Sequence, residues 1–153
     1  MNIQETCKAI KALKIQGAEN ISTAALLAIK ETIQKSKAKT KGAMLWELDL
    51  AKIHLINTRP TEPEMRNYLN AFFTYAEQED FKKQKLLKKI DSLLKEKEER
   101  KEKINFYGDA LIKNNTKIYT HCHSSTVTAI LKKANKRKKI IVYNTETRPL
   151  FQG

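Results

Sequence analysis

Apolar residues recur every three or four positions through most of the first 112 residues. This spacing places them on one face of a helix, so it predicts amphipathic helices. We predict five of them, over residues 2–14, 21–38, 41–56, 63–77 and 81–112. The chain has only 4 Gly and 3 Pro, which also favours helices over a loop-rich or all-β fold.

The predicted helix ends follow from short polar side chains and from proline. Asn20 or Ser22 is placed to cap the second helix, since such side chains accept hydrogen bonds from first-turn N–H groups. Thr61 is placed to cap the fourth helix, and Pro63 suits its first turn. Residues 95–103, KEKEERKEK, contain no apolar residue, and Glu and Lys lie three and four positions apart. We therefore predict that this part of the fifth helix is solvated.

The helical pattern then gives way to a strand, a helix and a strand. KIYTHC (117–122) predicts the first strand, SSTVTAILKKANKR (124–137) the helix and KIIVYN (139–144) the second strand. Two strands joined in this way form a βαβ unit with parallel strands. The predicted fold class is α plus α/β: a helical N-terminal domain over 1–112 and the start of a doubly wound parallel sheet over 113–153.

The predicted sheet is incomplete within these residues. Two strands leave both faces and both edges of a doubly wound sheet exposed. We expect their apolar side chains to favour aggregation or pairing with another chain; these are Ile118, Ile140, Ile141 and Val142. The sheet is therefore expected to be completed by a longer form of the chain, by a complementing C-terminal half, or within a homo-oligomer.

The chain is strongly basic, with 30 Lys and Arg against 17 Asp and Glu and a net charge of +13. An acidic partner such as nucleic acid or a phosphorylated ligand would explain this balance. A solvated lysine-rich surface explains it as well, since Lys far outnumbers Arg and base recognition prefers Arg. KKANKRKK at 132–139 suggests a basic RNA- or ribosome-binding module, but no aromatic residue interleaves these lysines for base stacking.

Cysteine usage and hydropathy indicate the compartment. Cys7 and Cys122 are far apart and define no disulfide framework, which is typical of a reducing cytosol. The N-terminus lacks the apolar stretch of a signal peptide. The longest apolar run, AALLAI at 24–29, is far too short to span a bilayer. We therefore predict a cytoplasmic protein without a membrane partner.

Residues 120–127, THCHSSTV, place a cysteine at the end of the first predicted strand. Ligands of doubly wound sheets bind at the carboxyl ends of strands, where helix N-termini also point. Ser124 or Ser125 would cap the next helix, whose first N–H groups suit an anion. The helix dipole and the neighbouring imidazoles would favour the thiolate of Cys122, which predicts a reactive cysteine. The alternative is that Cys122 is only a small apolar residue at the end of a buried strand.

A metal site is a weaker interpretation of the same segment. His121, Cys122 and His123 are consecutive, and neighbouring strand residues point to opposite faces. They cannot all reach one tetrahedral ion, and no CxxC or HxxxH pattern supplies further ligands. We predict no metal site and no cofactor.

Two further segments are candidates for anion binding. GAEN at 17–20 combines a glycine with a helix start, a geometry that can hold phosphate, although an ordinary interhelical turn uses the same residues. Arg59 lies between two helices, beside Pro60. It could pair with an anionic ligand or cap the preceding helix, and the residues leave both functions open.

Five segments, taken in order, resemble the translation initiation factor 2B family: KIQGAENI, NTRPTEPEMRN, GDALI, KIYTHCHSSTV and VYNTETRPLFQG. That family groups the regulatory alpha, beta and delta subunits of the initiation factor with isomerases of ribose-1,5-bisphosphate and methylthioribose-1-phosphate. The resemblance covers essentially the whole chain. It implies a helical N-terminal domain followed by a Rossmann-like C-terminal domain.

The resemblance also implies a site. Cys122 would be catalytic, and it would act together with an aspartate. Substrate phosphate would be bound by the loop before the second helix and by the arginine of TRPT, here Gln16, Gly17, Ala18, Glu19 and Arg59. The implied reaction opens the sugar ring and converts an aldose into a ketose.

Three departures from the isomerases bear on this expectation. The isomerase loop resembles Arg-Gly-Ala-Gly, whereas this chain has Gln16 first and Glu19 last. A carboxylate beside a phosphate in a partly buried site costs about 1 kcal/mol or more. Glu62 and Pro63 follow TRPT, where the isomerases carry small apolar residues. The family's aspartate would lie beyond Gly153, so these residues alone are not expected to be a working isomerase.

The resemblance leaves two functions open, because typical initiation-factor subunits lack the cysteine that this chain keeps. The leading hypothesis is the N-terminal portion of an archaeal-type initiation factor 2B-like protein. It would bind a sugar phosphate or nucleotide within an oligomer and contact the translation machinery. The alternative is ribose-1,5-bisphosphate isomerase, and a basic RNA-binding helical module is the third candidate.

Overall fold

The chain forms six helices and two strands in the computed structural model, which describes residues 1–122, 124–146 and 148. The elements are α1 (Ile3–Lys11), α2 (Ala18–Lys35), α3 (Lys41–Ile56), α4 (Pro63–Gln78), α5 (Lys83–Leu111), β1 (Thr116–Thr120), α6 (Ser125–Asn135) and β2 (Ile140–Asn144). Every predicted helix and strand is present, with ends shifted by a few residues. The predicted fold class is therefore confirmed.

Two compact units divide the chain, a helical unit (Met1–Glu96) and a sheet unit (Lys97–Gly153). The division falls inside α5, because the C-terminal part of that helix packs with the elements that follow it. The change from helix to strand occurs between Leu111 and Thr116. The predicted boundary at residue 112 thus marks a change of secondary structure, and as a domain boundary it stays a prediction.

The start of α2 differs from the prediction. Gly17 is the N-cap residue, with a φ of 81°, and no side chain bonds the first-turn N–H groups at this end. Glycine adopts this left-handed conformation without steric cost, so the chain can turn directly into the helix. Asn20 and Ser22, the predicted caps, lie inside the helix, where Asn20 Nδ2 donates to the Gln16 carbonyl at 3.0 Å. The prediction of a polar cap was therefore wrong.

The start of α4 was predicted in part. Pro63 is the first helical residue, as expected. The N-cap is Glu62 rather than Thr61, and its side chain accepts a hydrogen bond from the Glu64 N–H at 3.4 Å. Because Thr61 lies one residue too early in the turn, its hydroxyl does not take the cap position.

The helical unit holds an apolar core. α1 to α4 and the first part of α5 each contribute one face. Phe72 is fully buried and makes an edge-to-face contact with Phe73, at a centroid distance of 5.5 Å. The other large side chains that are fully buried are Ile10, Ile21, Leu26, Ile29, Ile33, Met44, Leu48, Leu55, Met65, Leu69 and Ile90.

The sheet unit contains the predicted βαβ arrangement. β1 and β2 are parallel, and their register runs from Thr116 opposite Ile140 to Thr120 opposite Asn144. Ser124 caps α6 by accepting a hydrogen bond from the Val127 N–H at 3.3 Å, which confirms one of the two predicted caps.

α5 and α6 approach closely within the sheet unit. A Cβ built on Gly108 would lie 2.5 Å from Ile130 Cδ1 and 2.9 Å from its Cγ1. The next residue, Asp109, is almost fully buried and forms ion pairs with Arg137 and Lys138. The absence of a side chain at Gly108 therefore allows the close packing, and the ion pairs join α5 to the turn after α6.

Most of the predicted solvated stretch of α5 is exposed, although Glu96 and Lys101 are half-buried. Lys97 is only 7% exposed. The pattern could not reveal this burial, because a lysine can lay its methylene groups along apolar surface while its ammonium group finds a partner. Although α5 is 29 residues long, it is highly charged. None of the helices in the described part of the chain is long and apolar enough to cross a bilayer.

Candidate functional site

The first turns of α2 and α4 lie side by side in the helical unit. The hydroxyl oxygen of Ser22 is 3.0 Å from the Glu19 carbonyl oxygen and 3.1 Å from Glu64 Oε1. Ser22 and Glu64 are 42 residues apart in sequence, so this contact joins the N-terminal part of α2 to the first turn of α4. The predicted phosphate-binding residues, Gln16 to Glu19 and Arg59, lie at or just before these helix starts in sequence.

The turn before α2 exposes backbone at a helix N-terminus. Gln16 and Gly17 are exposed, and Ala18 and Glu19 are half-buried in the first turn of the helix. Gln16 Nε2 donates to the Leu13 carbonyl at 2.7 Å, so this side chain closes the end of α1. First-turn N–H groups have no partner within a helix and attract anions. The backbone of this turn therefore suits an anion, although its Gln16 side chain is already engaged.

Arg59 lies in the turn between α3 and α4. Its N–H donates to the Ile56 carbonyl at 3.2 Å, and its carbonyl accepts from the Glu62 N–H at 3.0 Å. The residue is half-buried, and within residues 1–122, 124–146 and 148 its guanidinium makes no hydrogen bond or ion pair. The backbone of Arg59 is thus held in the turn, and its side chain can still take an anionic ligand.

Acidic side chains share this region. Glu19 occupies the first turn of α2, and Glu62 and Glu64 occupy the start of α4. The positive end of each helix dipole stabilises such carboxylates. Carboxylates therefore already occupy helix starts whose dipoles would otherwise attract a phosphate.

Cys122 belongs to the sheet unit and lies two residues beyond the end of β1. Its side chain is exposed, and its φ is 60°. A left-handed conformation costs a residue with a Cβ roughly 1–2 kcal/mol. The prediction placed Cys122 within the strand, whereas the chain has already left β1 at this residue and turns towards Ser124, which caps α6. The thiol is exposed in this structure, and its role stays a prediction.

His121 and Thr145 join the ends of the two strands. His121 Nδ1 lies 2.5 Å from Thr145 Oγ1. The Thr145 N–H also donates to the Thr120 carbonyl at 3.3 Å. No motif marks Thr145 in the sequence, although its position directly after β2 would have suggested a place beside His121 once the parallel register was known. His123, the third residue of the metal interpretation, lies outside the described residues.

The two cysteines differ in environment. Cys7 is half-buried against the apolar core of the helical unit, and burial raises the pKa of its thiol, an effect that the charge of Lys11 partly offsets. In the described part of the chain, no group of three or more His, Cys, Asp or Glu side chains is arranged to hold a metal ion. The predicted site residues thus fall in different units: Gln16 to Glu19 and Arg59 lie in the helical unit, and Cys122 lies in the sheet unit.

Comparison with known proteins identifies the family. The sequence pattern of the Initiation factor 2 subunit family matches residues 14–153. A ribose 1,5-bisphosphate isomerase of Pyrococcus furiosus is 34% identical over 97% of this chain and 48% of its own length. One of Archaeoglobus fulgidus is 30% identical over 99% of this chain and 48% of its own length. The chain therefore belongs to the Initiation factor 2 subunit family, and it spans about half the length of these relatives.

A solved structure agrees with the fold. The translation initiation factor eIF-2B of Pyrococcus horikoshii has a TM-score of 0.85, with 21% identity over 99% of this chain and 52% of that one. At this identity the likeness shows the fold alone. The family and the fold that the resemblance implied are confirmed, and the roles of the site residues stay predictions.

Proposed function

We propose that this chain is the N-terminal half of a sugar-phosphate isomerase that acts on ribose-1,5-bisphosphate. One observation carries the proposal: an exposed cysteine stands at the carboxyl end of the first sheet strand, beside a helix start. It does so in a chain 30–34% identical to ribose 1,5-bisphosphate isomerases. Folds of the α/β class bind ligands at this edge of a parallel sheet, and here the edge carries a small, exposed nucleophile.

The reaction is an internal redox step on the sugar. Ring opening breaks the bond between carbon 1 and the ring oxygen, which takes up a proton, while carbon 1 keeps its phosphate ester. A hydrogen then moves with its electron pair from carbon 2 to carbon 1, and the carbon 2 hydroxyl loses its proton and becomes a carbonyl group. Atoms and electrons balance within the substrate, so no co-reactant is needed. Cys122 moves a proton in this exchange. In the helical unit, the guanidinium of Arg59 has no partner among the described residues and is proposed to bind a phosphorylated ligand.

The test uses the native protein purified from its source cells. Ribose-1,5-bisphosphate is supplied, and ketose formation is followed by ³¹P NMR. Cys122→Ser is expected to lower kcat by at least about a hundredfold, because general acid–base groups contribute this much to the rate. The matched control is Cys7→Ser, which removes the half-buried thiol of the helical unit and should leave kcat unchanged. Full activity of Cys122→Ser would reject the catalytic role of Cys122.

A second function is favoured by the acidic residues at the start of α2 and α4. Glu19 and Glu64 oppose a tightly bound phosphate, which fits a subunit of the initiation-factor type that senses a phosphorylated nucleotide or sugar without converting it. Calorimetry distinguishes the two. A sensing subunit would bind a nucleoside monophosphate and form no ketose, and Glu19→Gly would tighten phosphate binding. Absence of binding to any phosphorylated ligand would reject both functions.

Assembly is part of the proposal. The sheet unit leaves Tyr119, Ile141 and Tyr143 exposed on its two strands. We propose that a further polypeptide segment or a second copy covers this surface in a cytoplasmic homo-oligomer, since an uncovered parallel sheet is rare. Analytical ultracentrifugation of the native protein measures the assembly, and a monomer at micromolar concentration would contradict it.

A further inference from the structure

A side-chain contact that the sequence patterns did not predict joins the ends of β1 and β2. The last paired residues of the sheet are Thr120 and Asn144. One step further, the Thr145 N–H donates to the Thr120 carbonyl at 3.3 Å, and His121 Nδ1 lies 2.5 Å from Thr145 Oγ1. The parallel ladder therefore continues for one more residue, and a side-chain hydrogen bond closes it.

Geometry explains why these two side chains meet. Paired residues of parallel strands point to the same face, and the face alternates along each strand. Continuing the register places His121 opposite Thr145, on the face that carries Tyr119 and Tyr143. The contact thus belongs to the strand pair itself and does not depend on a flexible loop.

Cys122 directly follows this contact. Its φ of 60° is a conformation that residues with a Cβ adopt only when their surroundings hold them there. The preceding residue, His121, is held by Thr145, and two residues later Ser124 is held as the N-cap of α6. Cys122 therefore stands between two anchored residues.

We propose that His121 and Thr145 are a positioning pair that holds Cys122 in its left-handed conformation at the strand end. This inference rests on the proposed function for its catalytic consequence, because it is Cys122 that would act on the substrate. Neither His121 nor Thr145 needs to touch the substrate. Their hydrogen bond sets the backbone conformation of Cys122 and therefore the direction of its thiol.

A positioning pair has a kinetic signature. Displacement of a catalytic group by a fraction of an ångström slows the chemical step while substrate binding is maintained. Thr145→Val keeps the shape of the side chain and removes its hydroxyl. In the native protein we expect kcat to fall by about tenfold or more, with KM within about twofold of the original value. Thr145→Ser keeps the hydroxyl and should stay close to the original kcat.

The structural test does not depend on catalysis. NMR of the 153-residue chain measures the backbone couplings that report φ of Cys122. Hydrogen exchange of the β1 and β2 amides reports whether the strands stay paired. Thr145→Val and His121→Phe should both move Cys122 out of the left-handed region while the strand amides stay protected. Thr145→Ser should leave φ of Cys122 positive.

Three outcomes test whether His121 and Thr145 position Cys122. A positive φ at Cys122 in both Thr145→Val and His121→Phe would overturn the proposal. Loss of strand protection in these variants would overturn it as well, since the contact would then hold the sheet rather than the cysteine. If φ of Cys122 changes as expected but the native protein forms no ketose, the positioning pair stands and the proposed reaction falls.

Discussion

The helical unit and the sheet unit bury very different side chains. In the helical unit, five helices surround a continuous apolar core that includes Phe72, Leu69 and Ile29. In the described part of the sheet unit, the buried residues are Ala134, Asp109 and Lys97. Its aromatic residues Phe106 and Tyr119 are 61% and 71% exposed. The first unit is held mainly by apolar burial, and the second by ion pairs, a close helix approach and ten residues of paired strand.

This difference has a consequence for stability. Apolar burial contributes about 25 cal/mol for each Å² removed from water, so a unit with few buried apolar side chains has little of the dominant stabilising term. We expect the helical unit to unfold at a higher denaturant concentration than the sheet unit. The four predictions below address this contrast, beginning with the largest effect.

Of the four changes, Phe72→Ala should cause the largest loss of unfolding free energy. The ring is fully buried, and truncation of a buried Phe typically costs about 3–5 kcal/mol of unfolding free energy. Urea unfolding followed by helical circular dichroism measures the loss. The matched control is Trp46→Ala, because Trp46 lies in the same unit and is 66% exposed; its effect should stay within about 0.5 kcal/mol. Equal losses in the two variants would contradict the assigned core.

Gly108→Ala should weaken the sheet unit. The added Cβ would lie 2.5 Å from Ile130 Cδ1, and overpacking of this kind costs about 1–3 kcal/mol, of which the better helix propensity of Ala returns up to about 1 kcal/mol. Hydrogen exchange of the α6 amides should accelerate, while that of α2 and α4 stays unchanged. Gly108→Ala combined with Ile130→Val, which removes Cδ1 but keeps Cγ1 at 2.9 Å, should recover part of the loss. No recovery would show that the contact with Ile130 Cδ1 is not the cause of the loss.

Gly17→Ala and Gly42→Ala should change the unfolding free energy of the helical unit in opposite directions. Neither added Cβ would meet an atom within 4 Å, so packing plays no part. Gly17 has a φ of 81°, and an Ala there should destabilise the helical unit by about 1–2 kcal/mol. Gly42 lies in the first turn of α3, where Ala should stabilise by up to about 1 kcal/mol. Thermal unfolding of the two variants measures the difference, and a stabilising Gly17→Ala would refute the left-handed cap.

Asp109 should make the sheet unit sensitive to acid. The hydrogen bond from Lys138, together with the charges of Arg137 and Lys138, lowers the pKa of this carboxyl below its ordinary value. Since the folded pKa is depressed, the stabilisation is present above the unfolded value of about 3.9 and is lost as the pH falls through the folded pKa. The effect should be the smallest of the four, because Arg137 is largely exposed and water screens its charge.

The acid effect is measured by hydrogen exchange of the β1 and β2 amides from pH 6 downwards. Asp109→Asn should lower their protection near neutral pH and weaken its dependence on pH below about 4. Asp91→Asn is the control, since Asp91 is paired with Lys30 on the exposed surface of the helical unit. If both variants behave alike, burial of Asp109 adds nothing to its ion pairs.

Sequence periodicity predicted the elements well and their ends less well. The apolar spacing identified all five N-terminal helices and the βαβ unit, because each element must turn one face towards a core. The N-cap residues of α2 and α4, Gly17 and Glu62, were missed. A cap is decided by backbone geometry in the turn, and several neighbouring polar residues fit the same pattern before that geometry is known.

The candidate site was predicted by residue type but not by arrangement. Cys122 was singled out from its place at the end of the first predicted strand, yet its position beyond β1, its left-handed backbone and its exposure came from the structure. The hydrogen bond between His121 and Thr145 joins residues 24 apart in sequence, and the contact between Ser22 and Glu64 joins residues 42 apart. Such pairs depend on strand register and helix packing, which no local pattern encodes.

The sequence by itself determined the order of the helices and strands, the parallel βαβ unit and the family of the chain. These follow from local periodicity and from short motifs whose residues are neighbours in the chain. Only the tertiary structure decided which polar groups are buried, as at Asp109 and Lys97, and which side chains meet at the strand ends. The physical reason is that burial and pairing depend on surfaces contributed by distant segments, and those surfaces exist only after the helices and strands have packed.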